Sequence, residues 1–150
     1  MSRYAENTSV SAEKSRAEIE ASLRRYGADQ FAYMTSRTEA RVGFVAQGRQ
    51  VQFRLEMPDP TDRAFRLTPT GRDRSPTQAE AAWEQATRQR WRALALVIKA
   101  KLEAVEAGIT EFDDEFLAHI MLPNGQTIGE SLKPQLDDVY TGARMLELMP

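Results

Sequence analysis

Cysteine is absent from the 150-residue chain. Its absence excludes disulfides, thiolate catalysis and zinc sites built on sulfur, and it makes a reducing, cytoplasmic setting the expected one. Histidine occurs once, at His119, so neither a histidine pair nor a Ser-His-Asp triad can be assembled within one chain. A single histidine between Ala118 and Ile120 reads as a core or interface residue. No run approaches the roughly 20 apolar residues of a membrane-spanning helix. Met1 to Glu13 is polar and lacks the apolar centre of a secretion signal, so no membrane association is expected. Gly43, Gly48 and Gly71 form no phosphate-binding loop pattern.

Carboxylates are present but poorly placed for a metal. Asp113, Asp114 and Glu115 are consecutive, so on a helix they point in different directions, and they sit where a helix N-terminus favours negative charge. Asp137 and Asp138 are a weaker version of the same pattern. A meeting of the two acidic patches in space would be the one route to a metal-dependent nuclease. No catalytic residue, metal or cofactor is assigned, and the chain is expected not to be an enzyme.

Apolar residues make up 41% of the chain and charged residues 28%, a balance that points to a soluble globular domain rather than a disordered one. The formal net charge is −2, but it is unevenly spread. Residues 1–36 are balanced, residues 37–101 hold thirteen basic and seven acidic side chains, and residues 102–150 hold two basic and ten acidic. A basic middle beside an acidic tail fits a nucleic-acid surface with a masking or recruiting counterpart, and it fits equally two parts of one fold that attract each other.

The longest helical pattern runs from Thr77 to Ala107, opened by Pro76 and closed by Gly108. At 100° per residue, Trp83, Trp91, Leu94, Ile98, Leu102 and Val105 form one apolar stripe. Arg88, Arg92 and Lys99 share another direction, read as roughly the opposite side, with Gln85 nearby. Such a helix spans about 45 Å at 1.5 Å per residue. An earlier helix is expected from Ser11, as N-cap, to Tyr26, with Gly27 just past its end. Three strands follow, at Gln30–Thr35, Arg41–Ala46 and Gln50–Met57. The third alternates cleanly, and short connections make an antiparallel meander the economical topology. Val42, Phe44, Val51, Phe53 and Leu55 then face a helix, while Arg41, Gln50, Gln52 and Arg54 face outward.

Residues 58–76 read as an irregular segment rich in proline that carries Arg63, Arg66, Arg72 and Arg74. Beyond Gly108, a short helix over Glu111 to Ala118 is expected, then a small hairpin around Asn124-Gly125, then a helix from Ser131 to Tyr140 with Pro134 in its first turn. Met145, Leu146, Leu148 and Met149 end the chain on an apolar note, able to dock on the body or on a second copy. The fold class is α+β: a small three-stranded antiparallel meander packed on a long helix, with an N-terminal helix and an acidic helical C-terminal part. Residues 1–10 are expected to be a flexible tail, 11–109 an α-β-β-β-α core, and 110–150 an extension of the same domain.

The run from Arg90 to Ile109 resembles a stretch found in small uncharacterised proteins of phages and prophages. Phe112 to His119, Leu122 to Gly129 and Arg25-Tyr26-Gly27-Ala28 are similar to the same group. The resemblance implies a phage origin and a setting near DNA-processing genes, and it transfers no activity and no site residue. The element order is also similar to the double-stranded-RNA-binding domain and to a unit of single-strand annealing proteins. Where the first of these carries a lysine-rich helix start, however, this chain has Pro76-Thr77-Gln78-Ala79-Glu80.

The function these features support is a non-enzymatic accessory protein that holds nucleic-acid backbone without strong sequence preference. The candidate contacts are Arg41, Arg54, Arg72, Arg74, Arg88, Arg92 and Lys99. The alternative is a protein-interaction or homo-oligomeric regulatory module, with a host or phage protein or a second copy engaged through the acidic, apolar C-terminal part.

Overall fold

The computed structural model describes residues 8–142 together with 145 and 146. Leu148 and Met149 lie outside the described residues, as does most of the expected N-terminal tail. The longest element is α3, Pro76–Glu106. It begins with a reciprocal cap: the Ser75 hydroxyl accepts from the Gln78 N–H at 3.1 Å, and the Gln78 side chain accepts from the Ser75 N–H at 3.0 Å. Pro76 occupies the first turn, where its missing N–H costs nothing. Gly108, at φ +75°, closes the C-terminus in the left-handed conformation.

α1 spans Ala12–Arg25, capped by the Ser11 hydroxyl as its sequence implies. β1 (Gln30–Thr35), β2 (Glu39–Ala46) and β3 (Arg49–Glu56) form an antiparallel sheet in the order β1-β2-β3. The β2–β3 turn is Gln47-Gly48, both at positive φ, the primed geometry that suits the twist of a tight hairpin. Strand alternation sends Val42, Phe44, Val51 and Phe53 to one face, where they form a single core with Ile19 and Leu23 of α1 and Trp91, Leu94, Ile98 and Leu102 of α3. Both helices therefore cover the same side of the sheet. Trp83, expected in this stripe, is only half-buried; its indole N–H donates to the Pro58 carbonyl at 2.6 Å.

The segment 58–75 is more ordered than its proline content implies. Asp62 caps a single helical turn, α2 (Arg63–Arg66), and a one-pair ladder follows, Leu67 opposite Asp73.

After α3, the chain folds back onto the sheet. α4 (Phe112–Phe116) is followed by a 3₁₀ turn at Leu117–His119. Phe116 is fully buried, edge-on to Phe44 and Phe53. Ile120 bridges to Val51, and the Met121 N–H donates to the Gln50 carbonyl at 2.8 Å, so this segment covers the outer edge of β3. The expected hairpin around Asn124-Gly125 reduces to one bridge, Met121 opposite Thr127. The last helix, α5, runs Ile128–Gly142 and begins earlier than Ser131. The buried Thr127 hydroxyl accepts from the Glu130 N–H at 3.1 Å and opens it, which leaves Pro134 inside the helix rather than in its first turn. α5 rests on the 3₁₀ turn and contributes no buried residue. No helix among the described residues is long and apolar enough to cross a membrane.

Candidate nucleic-acid interface

The seven basic residues singled out from the sequence do not come together. Arg41 and Arg54 face each other across β2 and β3 on the outer side of the sheet, away from the helices. Both are spent on one carboxylate: Arg41 Nε lies 3.1 Å from Glu39 Oε1, and Arg54 Nε lies 2.9 Å from Glu39 Oε2. Burial opposes ionisation of Glu39, but hydrogen bonds and positive charge from Arg41 and Arg54 outweigh it and hold the carboxyl below its ordinary range.

Arg88 and Arg92 are not opposite the tryptophan stripe. At 100° per residue they stand roughly 60–100° from Trp91, on the flank of α3 that α1 covers, and both are half-buried. Arg92 pairs with Glu18 of α1, and Arg88 donates through Nε to the Gln85 side-chain oxygen at 3.1 Å. Gln85 in turn donates to the Thr8 carbonyl. The packing of α1 explains the difference: these cations border a helix–helix contact and are matched to it. Lys99 is exposed on the same flank, with no ion pair among the described residues.

Arg72 and Arg74 have a different setting. The Thr68 N–H donates to the Arg72 carbonyl, and the Arg74 N–H donates to the Arg66 carbonyl, each at 2.7 Å. This small antiparallel ladder sets Arg66 opposite Arg74 and Thr68 opposite Arg72. Arg66 ends α2, Arg66 and Arg72 are exposed and Arg74 is half-buried, and Arg63 and Arg74 line one shallow surface hollow with Leu67 and Thr68. Arg63 is three residues before Arg66 on α2, the spacing of helix neighbours. None of these four arginines has a carboxylate within ion-pair distance among the described residues, whereas Arg16, Arg24, Arg37, Arg41, Arg49, Arg54 and Arg92 each have one. Two nearby acids hold local hydrogen bonds instead. Asp59 accepts from the hydroxyl and N–H of Thr61, which lowers its pKa, and Asp62 accepts from the Ala64 N–H.

No family model, curated protein or solved structure matches the chain.

The acidic final third does reach the basic middle, through other residues. Asp113 accepts two hydrogen bonds from Arg49, each 3.0 Å, which raise the Arg49 pKa further, and Glu115 accepts from Lys101 at 3.2 Å. Two of the three clustered carboxylates are therefore engaged by cations. No group of three or more metal-ligating side chains occurs among the described residues. His119 stacks on Phe53 with ring centres 4.0 Å apart. Burial, then the charges of Lys101 and Lys133, push its pKa below the ordinary value.

The two tryptophans of α3 are both covered by arginines. Trp91 is buried beneath the Arg16 guanidinium, and Trp83 lies under that of Arg37. Sequence reasoning placed Arg63 and Arg66 in the basic segment but not among the contacts. The available signal was Asp62 ahead of Arg63, a helix-cap pattern that orders the segment and brings Arg66 beside Arg74.

Proposed function

We propose that this protein is a non-enzymatic accessory protein, phage-type by the resemblance of its Arg90–Ile109 run, which grips nucleic-acid backbone without strong sequence preference. The observation that carries the reading is the excursion between β3 and α3, where four arginines have no carboxylate within ion-pair distance among the described residues and backbone hydrogen bonds set Arg66 beside Arg74, with Arg63 and Arg74 lining one hollow. Guanidinium groups match phosphate oxygens in pairs, and a short ordered segment presents them with less entropy to lose than a floppy loop would. Arg72 and Arg74 belong to this surface, joined by Arg63 and Arg66. Arg41, Arg54, Arg88 and Arg92 serve the fold instead, and Lys99 stands apart.

The test is fluorescence anisotropy with mixed-sequence DNA and RNA between roughly 50 and 200 mM salt. Four phosphate contacts give a log–log salt slope of about −3 to −4. Replacing Arg63, Arg66, Arg72 and Arg74 with alanine should abolish most of that slope, while Arg41→Ala with Arg54→Ala should leave it in place. Absence of binding, a flat salt response, or unchanged binding by the four-alanine variant would remove the reading.

A second reading rests on α5, which buries no residue and leaves Leu136 and Tyr140 exposed, with Met145 and Leu146 exposed beyond it. An acidic helix with an uncovered apolar side fits a protein-interaction or oligomeric regulatory module. Light scattering on the full chain and on a chain shortened to end near Tyr140 tests it, with Leu136→Glu as a point variant. Any association that survives both changes rules α5 out as the contact.

A further inference from the structure

The two edges of the sheet are treated differently. The outer edge of β3 is covered by the Ile120–Met121 segment, through the bridge to Val51 and the hydrogen bond to Gln50. The outer edge of β1 has no partner strand among the described residues. Proteins blunt a bare edge with charge, proline or a bulge. β1 reads Gln30-Phe31-Ala32-Tyr33-Met34-Thr35, with no charge and no proline, and its register with β2 is unbroken. Tyr33 and Met34 are 50% and 49% exposed.

The groups that point outward follow from the hairpin. The Ser36 N–H donates to the Glu39 carbonyl, and antiparallel pairs alternate between bonded and non-bonded. Gln30, Ala32 and Met34 therefore turn their backbone groups toward β2. Phe31, Tyr33 and Thr35 turn theirs outward.

We infer that β1 pairs antiparallel with β1 of a second copy of this chain, centred on Tyr33, to make one continuous six-stranded sheet with all the helices on one face. In this register Tyr33 meets the partner's Tyr33 and Phe31 meets the partner's Thr35, so every outward N–H and C=O of the strand is matched. On the other face, Ala32 meets the partner's Met34, a small side chain against a large one. Beyond the strand ends Asp29 lies level with the partner's Arg37, which is already held by Glu80 and Trp83 of its own chain, so the seam is set by β1 itself. A pairing shifted by one residue would set outward backbone groups against groups already bonded to β2, so the faces and the hydrogen bonds select registers of the same parity as this one.

The experiment uses the full chain. Sedimentation velocity across a concentration series should show a monomer–dimer equilibrium. Met34→Lys should weaken the dimer about tenfold or more, since two added charges then flank the dyad. Tyr33→Pro should act in the same direction, because it removes only an outward-facing N–H, which leaves the β1–β2 ladder intact; circular dichroism checks that both variants fold. Because the chain has no cysteine, Tyr33→Cys introduces the sole thiol. Its two copies would face each other at a Cα separation of about 5.5 Å, within disulfide range. Mild oxidation should link them, whereas two copies of Thr35→Cys, roughly 14 Å apart in this register at 3.4 Å per residue, should stay unlinked. A chain that is monomeric at every concentration overturns the inference. So does a dimer that Met34→Lys and Tyr33→Pro leave intact, or oxidation that links residue 35 in preference to residue 33. Capture of an extended peptide by β1 while the chain itself stays monomeric would also overturn it. Nucleic-acid binding plays no part in these readouts.

Discussion

Phe116→Ala tests how the C-terminal part is joined to the core. The ring is fully buried. It stands edge-on to Phe44 at 5.8 Å and to Phe53 at 6.3 Å, with Phe112 tilted against it at 4.7 Å. Truncating such a phenylalanine costs about 3–5 kcal/mol, part transfer and part cavity, and the aromatic pairings place this site in the upper part of that range. We expect a loss of about 4 kcal/mol. Domains hold roughly 5–15 kcal/mol in total, so the variant gives up a quarter or more of its stability. At about 2–4 °C per kcal/mol for a chain of this size, Tm should fall by about 8–16 °C. Urea denaturation followed by both tryptophan fluorescence and far-ultraviolet circular dichroism measures the change. Both tryptophans lie on α3, so they report the core, while circular dichroism also reports α4 and α5. The two probes should shift together, with an unchanged slope in urea. A loss below about 1 kcal/mol, or two separated transitions, would refute the argument that Phe116 fastens residues 110–142 into the same cooperative unit.

Three further outcomes follow from local geometry. Ser15 is fully buried on α1 and its hydroxyl has no hydrogen-bond partner among the described residues; Ser15→Ala should stabilise the protein by about 1 kcal/mol, from relief of an unsatisfied polar group and better helix propensity, and an unchanged or lower urea midpoint contradicts this. A Cβ at Gly129 would lie 2.9 Å from the Ala118 carbonyl oxygen and 3.3 Å from its Cβ; Gly129→Ala should therefore cost about 1–3 kcal/mol in overpacking despite its helix gain, read by the same denaturation assay. The His119 pKa is depressed on folding, so its neutral form adds stability above the unfolded value near 6.5 and that contribution is lost as pH falls through the folded value; the stability difference between pH 7.5 and pH 5.5 should shrink in His119→Gln, and an equal or larger difference refutes the assignment.

Much of the fold was legible locally. The 3.6-residue stripe of α3, the alternation of β3, the cap at Ser11 and the Pro76 start of α3 each act within a few residues, so they can be read without knowing what packs where. The start of α5 was legible too, in the Thr127–Glu130 spacing, but Pro134 drew the expected start three residues late. Asn124-Gly125 made its turn, but the flanking segments were too short to extend beyond one bridge.

The sequence alone determined an α+β chain: a meander with one apolar face, a long amphipathic helix and a basic middle ahead of an acidic tail. Only tertiary structure decided which charges remain available. Arg92 meets Glu18 across 74 residues, and Arg49 meets Asp113 across 64. Arg63, Arg66, Arg72 and Arg74 meet no carboxylate within ion-pair distance among the described residues. Helix and strand preferences are set by neighbours along the chain, whereas ion pairing falls off within about 10 Å of water and salt. Which arginine finds an acid, and which strand edge finds a cover, is settled only when distant segments are packed together.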